Sequence, residues 1–119
     1  MSRISLLAAG VVAALALAAP IGATSSVTKL TGTVGPGFTI TLKKGTAKVK
    51  TLKAGSYKIT VNDKSNIHNF HLKGPGVNKI ITATPFKGTK TVTVKLKKGT
   101  YKYVCDPHAS FMHGSFKVT

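Results

Sequence analysis

The stretch Tyr101-Lys102-Tyr103-Val104-Cys105-Asp106-Pro107-His108-Ala109-Ser110-Phe111-Met112-His113-Gly114 decides how this chain is read. Its first residues alternate between aromatic or apolar and charged side chains, the period of a half-buried strand. Pro107 and Gly114 then bound a short loop. Cys105, His108 and Met112 therefore stand within eight residues at the end of a strand. A thiolate, an imidazole and a thioether form a soft donor set that suits copper, and such sites draw on a second imidazole.

The second imidazole is found upstream, in Ile67-His68-Asn69-Phe70-His71-Leu72. Period two puts His68, Phe70 and Leu72 on one face and Asn69 and His71 on the other. The face with Phe70 and Leu72 is the core side, so His68 is the expected partner of Cys105, His108 and Met112. His71 and His113 are expected at the surface, outside this set. Whether those two hold a second metal ion weakly stays open.

Cys105 is the only cysteine, and the N-terminal segment gives that fact weight. Arg3 precedes an apolar run from Ile4 to Ala19, ended by Pro20 and followed by small residues, the pattern of a targeting signal. Cleavage is expected after Ala23, with Ala18 as the other candidate. The chain then divides into a signal peptide over residues 1–23 and one domain over 24–119. An uncleaved anchor is the alternative, since the run is just long enough to span a bilayer. Outside the cytoplasm, in the periplasm or the medium, a lone cysteine has no internal disulfide partner and a metal ion protects it.

Beyond the leader, short alternating runs are punctuated by Gly35-Pro36-Gly37, Lys44-Gly45, Ala54-Gly55, Gly74-Pro75-Gly76 and Lys98-Gly99. Strands are predicted over 28–34, 38–42, 48–52, 57–62, 68–72, 91–96, 100–105 and 115–118; the run 77–83 is ambiguous. The domain is thus all-β, a Greek-key β-sandwich of seven to eight strands.

Lys and Arg number 18 against 2 acids, for a formal charge of +16. Arg3 is the sole arginine, so its removal with the leader leaves Lys alone against Asp63 and Asp106. A chain without Arg lacks the planar fork used to read bases and phosphates, which argues against nucleic acid. The Lys residues alternate with apolar ones, as on a solvated strand face, and their field attracts acidic partners. Two carboxylates and no nucleophile–base pair give no basis for an enzyme.

These motifs together resemble the cupredoxins of the plastocyanin, pseudoazurin and amicyanin type. His68-Asn69 matches that family's first ligand and the Asn after it. Cys105-Asp106-Pro107-His108 matches its Cys-x-Pro-His loop, and Met112-His113-Gly114 its Met-x-Gly return into the last strand. The step of four residues from His108 to Met112 is longer than in amicyanin and shorter than in plastocyanin. Azurin shares it, but with a longer Cys-to-His loop. Counting rigidly from plastocyanin would make His113 axial; the Met112-x-Gly114 junction favours Met112.

The resemblance implies a blue, type 1 site holding one copper ion that alternates between cupric and cuprous. Cys105, His68 and His108 would form its trigonal plane and Met112 its long axial contact. It implies a monomeric one-electron carrier with no membrane span after cleavage. Asn69 would tie the two ligand loops together. Electrons would pass through His108, in an apolar docking patch of Pro107, Ala109 and Phe111 near the Gly-Pro-Gly turns, to a redox partner acidic at its docking face. A copper carrier or buffer without a fixed redox partner is the alternative. A metal-free surface or adhesion domain, with Cys105 as a plain core residue, is a third reading.

Overall fold

The computed structural model describes residues 27–119; the leader read over 1–23 and its cleavage site lie outside the described residues. Ten strands follow one another: β1 Thr28–Val34, β2 Ile40–Lys44, β3 Ala47–Lys48, β4 Thr51–Leu52, β5 Gly55–Asp63, β6 Phe70–Gly74, β7 Val77–Thr82, β8 Gly88–Leu96, β9 Gly99–Val104 and β10 His113–Val118. They form two sheets, ordered β3-β2-β1-β5-β8 and β4-β10-β9-β6-β7. Non-consecutive neighbours and the parallel pairing of β1 with β5 make this a β-sandwich with crossover connections. Among the described residues, no helix is long and apolar enough to cross a membrane.

Alternation drives the layering. On β5 Tyr57, Ile59, Val61 and Asp63 are buried while Ser56, Lys58, Thr60 and Asn62 face outward. Leu30 and Val34 of β1 join them from one sheet, and Phe70, Leu72, Tyr101, Tyr103 and Phe116 from the other. The second sheet's aromatics stack in pairs, Phe70 on Tyr103 at 5.6 Å and Tyr101 on Phe116 at 5.4 Å between centroids. Burying rings of this size supplies much of a small domain's stability.

The eight predicted runs become ten strands because one of them is divided and the ambiguous run is a strand. The run 48–52, predicted as one strand, is divided: Ala47–Lys48 pairs with β2 in the first sheet and Thr51–Leu52 with β10 in the second. Between them Val49 is buried and its N–H donates to Leu42 O at 3.0 Å. The chain crosses from sheet to sheet there, as strands do at sandwich corners. The ambiguous run 77–83 is an edge strand, β7, and β8 starts earlier than expected, at Gly88.

The strand directions define two poles. At one, β1, β5 and β9 end and β6 and β10 begin. This pole carries Gly35-Pro36-Gly37, whereas Gly74-Pro75-Gly76 lies at the other. Tyr101 OH donates to Pro75 O there at 2.6 Å. The expectation that both Gly-Pro-Gly turns share one end is thus corrected: β6 runs the length of the sheet between His68 and Gly74.

Candidate metal centre

Each predicted donor has its own structural support. The chain leaves β5 at Asp63, whose Oδ1 accepts the Ser65 N–H at 3.2 Å, an Asx-type turn that starts the loop toward His68. His68 N–H donates to Ser65 O at 3.3 Å, and His68 O accepts from Thr84 Oγ1 at 3.2 Å. His68 therefore sits just before β6 and not within it, yet it faces the core as period two requires and is fully buried. The left-handed Gly35 (φ 77°) passes beneath it, where an added Cβ would lie 3.2 Å from the imidazole Cδ2. This is a close approach that suits glycine.

Cys105 directly follows β9 and is fully buried. A single 3₁₀ turn, Asp106–His108, follows, with Pro107 at its start where a missing N–H costs nothing. Backbone bonds close the loop: His108 N–H to Cys105 O at 3.0 Å, Met112 N–H to His108 O at 2.8 Å, and Cys105 N–H to Met112 O at 3.0 Å. Met112 is buried in the core cluster, while His113 is exposed at the start of β10.

Three donors converge. His68 Nδ1 lies 3.2 Å from His108 Nδ1, and Cys105 Sγ lies 3.7 and 3.5 Å from them respectively. A point equidistant from these three atoms is roughly 2.0 Å from each, the length of a metal–imidazole bond and close to that of a metal–thiolate bond. Among the described residues, this is the only group of three or more His, Cys, Asp or Glu donors within 4.8 Å of one another. His68 Nε2 donates to Gly37 O at 2.9 Å, which fixes the tautomer and leaves the Nδ1 lone pair aimed inward. Two imidazole nitrogens and a sulfur, without a carboxylate, are a donor chemistry that fits copper.

Around these atoms the structure adds Phe38 and Ile67, which the sequence reading missed, to the expected Phe111. Phe38, predicted in a strand, lies in the turn before β2, with its ring edge-on to both imidazoles at 5.4 and 5.0 Å. Phe111 packs beside it at 5.7 Å and beside His108 at 5.6 Å. Phe38, Phe111 and Ile67 are each about half exposed or more, at 57%, 58% and 49%. An apolar rim thus surrounds a partly exposed His108. The signal for Phe38 was its place directly after Gly35-Pro36-Gly37.

Asn69 does join the two loops. Its Oδ1 accepts the Asp106 N–H at 2.7 Å and its Nδ2 donates to Asp106 Oδ2 at 2.8 Å. His71, expected at the surface and outside the ligand set, donates from Nδ1 to the Asp106 carboxylate, at 2.9 and 3.1 Å, with its side chain 12% exposed. Burial raises the pKa of the Asp106 carboxyl, but the bonds from Asn69 and His71 and the charges of His71 and Lys73 outweigh it and hold it below the ordinary value. His71 and His113 flank Val104 from opposite neighbouring strands. Their backbones are therefore about 10 Å apart, two strand spacings, and the structure does not bring them together.

A two-sheet sandwich holding a buried Cys and two His at one pole defines a mononuclear copper protein. The chain belongs to the plastocyanin/azurin family of copper binding proteins, which matches it over residues 39–119. Among solved structures, reduced rusticyanin is 27% identical, covering 80% of this chain and 82% of its own with a TM-score of 0.53. A methionine-to-glutamine mutant of rusticyanin is 25% identical over 76% of each chain, with a TM-score of 0.52. No curated protein sequence matches the chain.

Proposed function

We propose that this protein is an exported one-electron carrier in which His68 Nδ1, Cys105 Sγ, His108 Nδ1 and the Met112 thioether would hold a copper ion. The observation that carries the reading is the convergence of three donor atoms within 4.8 Å inside a rigid frame of backbone bonds. Bound copper supplies a cupric/cuprous couple, and residues held in place in advance keep rearrangement small when the electron moves. Buried Cys105 and His68 exclude water, whereas partly exposed His108 offers the route to the surface.

Phe38, Phe111 and Ile67 form the apolar surface on which a partner docks. The Lys-rich remainder steers a partner that is acidic at its docking face, and a small apolar contact permits quick release. Export is supported by the Arg3-led apolar run and by the single, buried thiol. N-terminal sequencing of the exported protein, with an expected start near Thr24, tests that part.

Copper-loaded protein is expected to show one intense thiolate-to-copper band, lost in Cys105→Ala. In stopped-flow mixing with an acidic one-electron donor, reduction should be fast. It should slow as salt shortens the field's reach to about 8 Å at physiological ionic strength. Phe111→Asp should slow docking and leave the band in place. Transfer of the copper ion itself, with metal-free protein accumulating and no electron exchange, would replace this reading by copper delivery.

A further inference from the structure

One polar cluster beside the second sheet extends the Asn69–Asp106 tie: it adds His71 and Asn78, which have no part in the electron-carrier reading. Asp106 directly follows Cys105, so its carboxylate stands beside the thiolate that would bind copper. The turn after Cys105 is closed by bonds within its own loop, such as that from the His108 N–H to Cys105 O, and Pro107 has no N–H with which to add another. Asp106 is tied by both backbone and side chain to Asn69, next to His68.

His71 completes this tie from the neighbouring strand. The register between β6 and β7 shifts between Phe70 and His71. The side chain of His71 is 12% exposed and reaches both Asp106 oxygens. On its other side, Nε2 lies 2.6 Å from Asn78 Oδ1. Each ring nitrogen thus faces an oxygen, and the imidazole is held from β7 in the orientation that grips the carboxylate.

We propose that His71 is a positioning residue for the copper site: it grips the Asp106 carboxylate, locks the Asp106–Asn69 clasp between the two ligand loops, and offsets the carboxylate's charge beside Cys105. Without it, a less compensated negative charge next to the thiolate favours the cupric ion. The turn between Cys105 and His108 also loses its outer support. His71 touches no ligand atom, so its effect runs through Asp106.

This inference rests on the copper-site reading, and its test separates the two. Voltammetry of copper-loaded His71→Ala should show the equilibrium moved roughly threefold to tenfold toward the cupric form, tenfold being 59 mV for one electron. In an Asp106→Ala background the same substitution should move it less than half as far, the non-additivity expected of groups acting through one another. Equal shifts in both backgrounds, or none in the native one, overturn the proposal. In metal-free protein, His71→Ala should speed hydrogen exchange at the Asp106 amide by about tenfold, and an unchanged rate also overturns it. If the unaltered protein binds copper without a thiolate band, the electron-carrier reading fails, while the exchange measurement still decides the clasp.

Discussion

The two sheets of the sandwich are built from similar residues and do different work. In the first, pairing runs unbroken from Thr28↔Tyr57 to Val34↔Asp63 and from Gly55↔Leu96 to Asp63↔Gly88. In the second, β6 meets β9 only from His71↔Val104 to Lys73↔Lys102, and its register with β7 shifts beside the site. The regular sheet and its turns contribute a carbonyl, Gly37 O, and the Phe38 ring. Strands of the irregular sheet, with their flanking loops, carry His68, Cys105, His108 and Met112. Unbroken pairing makes a frame, and the places where pairing stops free side chains to converge.

That division is most forcefully tested in the frame. Ile59, fully buried at the centre of the regular sheet, is expected to cost about 3–4 kcal/mol on Ile59→Ala, by lost burial and the cavity left behind. Urea titration reads the cost, while the thiolate–copper band of the folded fraction should stay where it is. A displaced band would show that the frame and the site are not separate.

Gly114→Ala brings the two regions into conflict. A Cβ there would run into the Tyr103 ring, so Tyr103 or β10 must move, at about 2–3 kcal/mol. Because β10 begins right after Met112, this variant should shift the band as well as the unfolding midpoint. Loss of stability with an unmoved band would mean that Met112 is held by its loop alone.

Met112→Gln tests the proposed fourth ligand. Burying an amide where a thioether sat should cost about 1–2 kcal/mol in the metal-free protein. Copper-loaded protein should stay coloured, with a lower potential, because a harder oxygen favours the cupric ion. His113→Ala is the control and should change the potential little; a large shift from it alone would make His113 the axial residue.

The smallest effect concerns pH. Since the Asp106 carboxyl is held below its ordinary value, the stability it contributes is complete above the ordinary carboxylate pKa of about 3.9 and is lost as pH falls through the folded value. Asp106 is 41% exposed, so solvent screening keeps that contribution below about 1 kcal/mol. In metal-free protein, Asp106→Asn should lower the denaturation midpoint at pH 7 and make little difference near pH 2.

The meeting of His68, Cys105 and His108 was legible because chemistry and spacing coincide. His68 falls in phase with Phe70 and Leu72, and Cys105, His108 and Met112 share one loop. The layered fold followed from alternation, as on β5, where Lys58 and Thr60 point out between Tyr57, Ile59 and Val61. What stayed hidden depends on where strands stop alternating. Val49 faces the core at a sheet crossing, which period two reads as one continuous strand. The clasp was half visible: Asn69 was expected to join the loops, but Asp106 and His71 meet only because pairing brings β6 beside β9. Phe38 escaped for the opposite reason, since alternation extended a strand through a residue that belongs to a turn.

The placement of the two poles sets the direction in which this molecule can be held. The described chain enters β1 at Thr28, at the end away from His108, and β5 separates the two ends by nine residues, about 30 Å at 3.3 Å per residue. A linker joined ahead of Val27 therefore presents the histidine-bearing end outward, toward whatever diffuses up to it. On a conducting surface the same attachment would put the whole domain between electrode and metal and slow the current. Attachment through a cysteine placed near Ile67 would reverse that orientation and bring the site against the electrode.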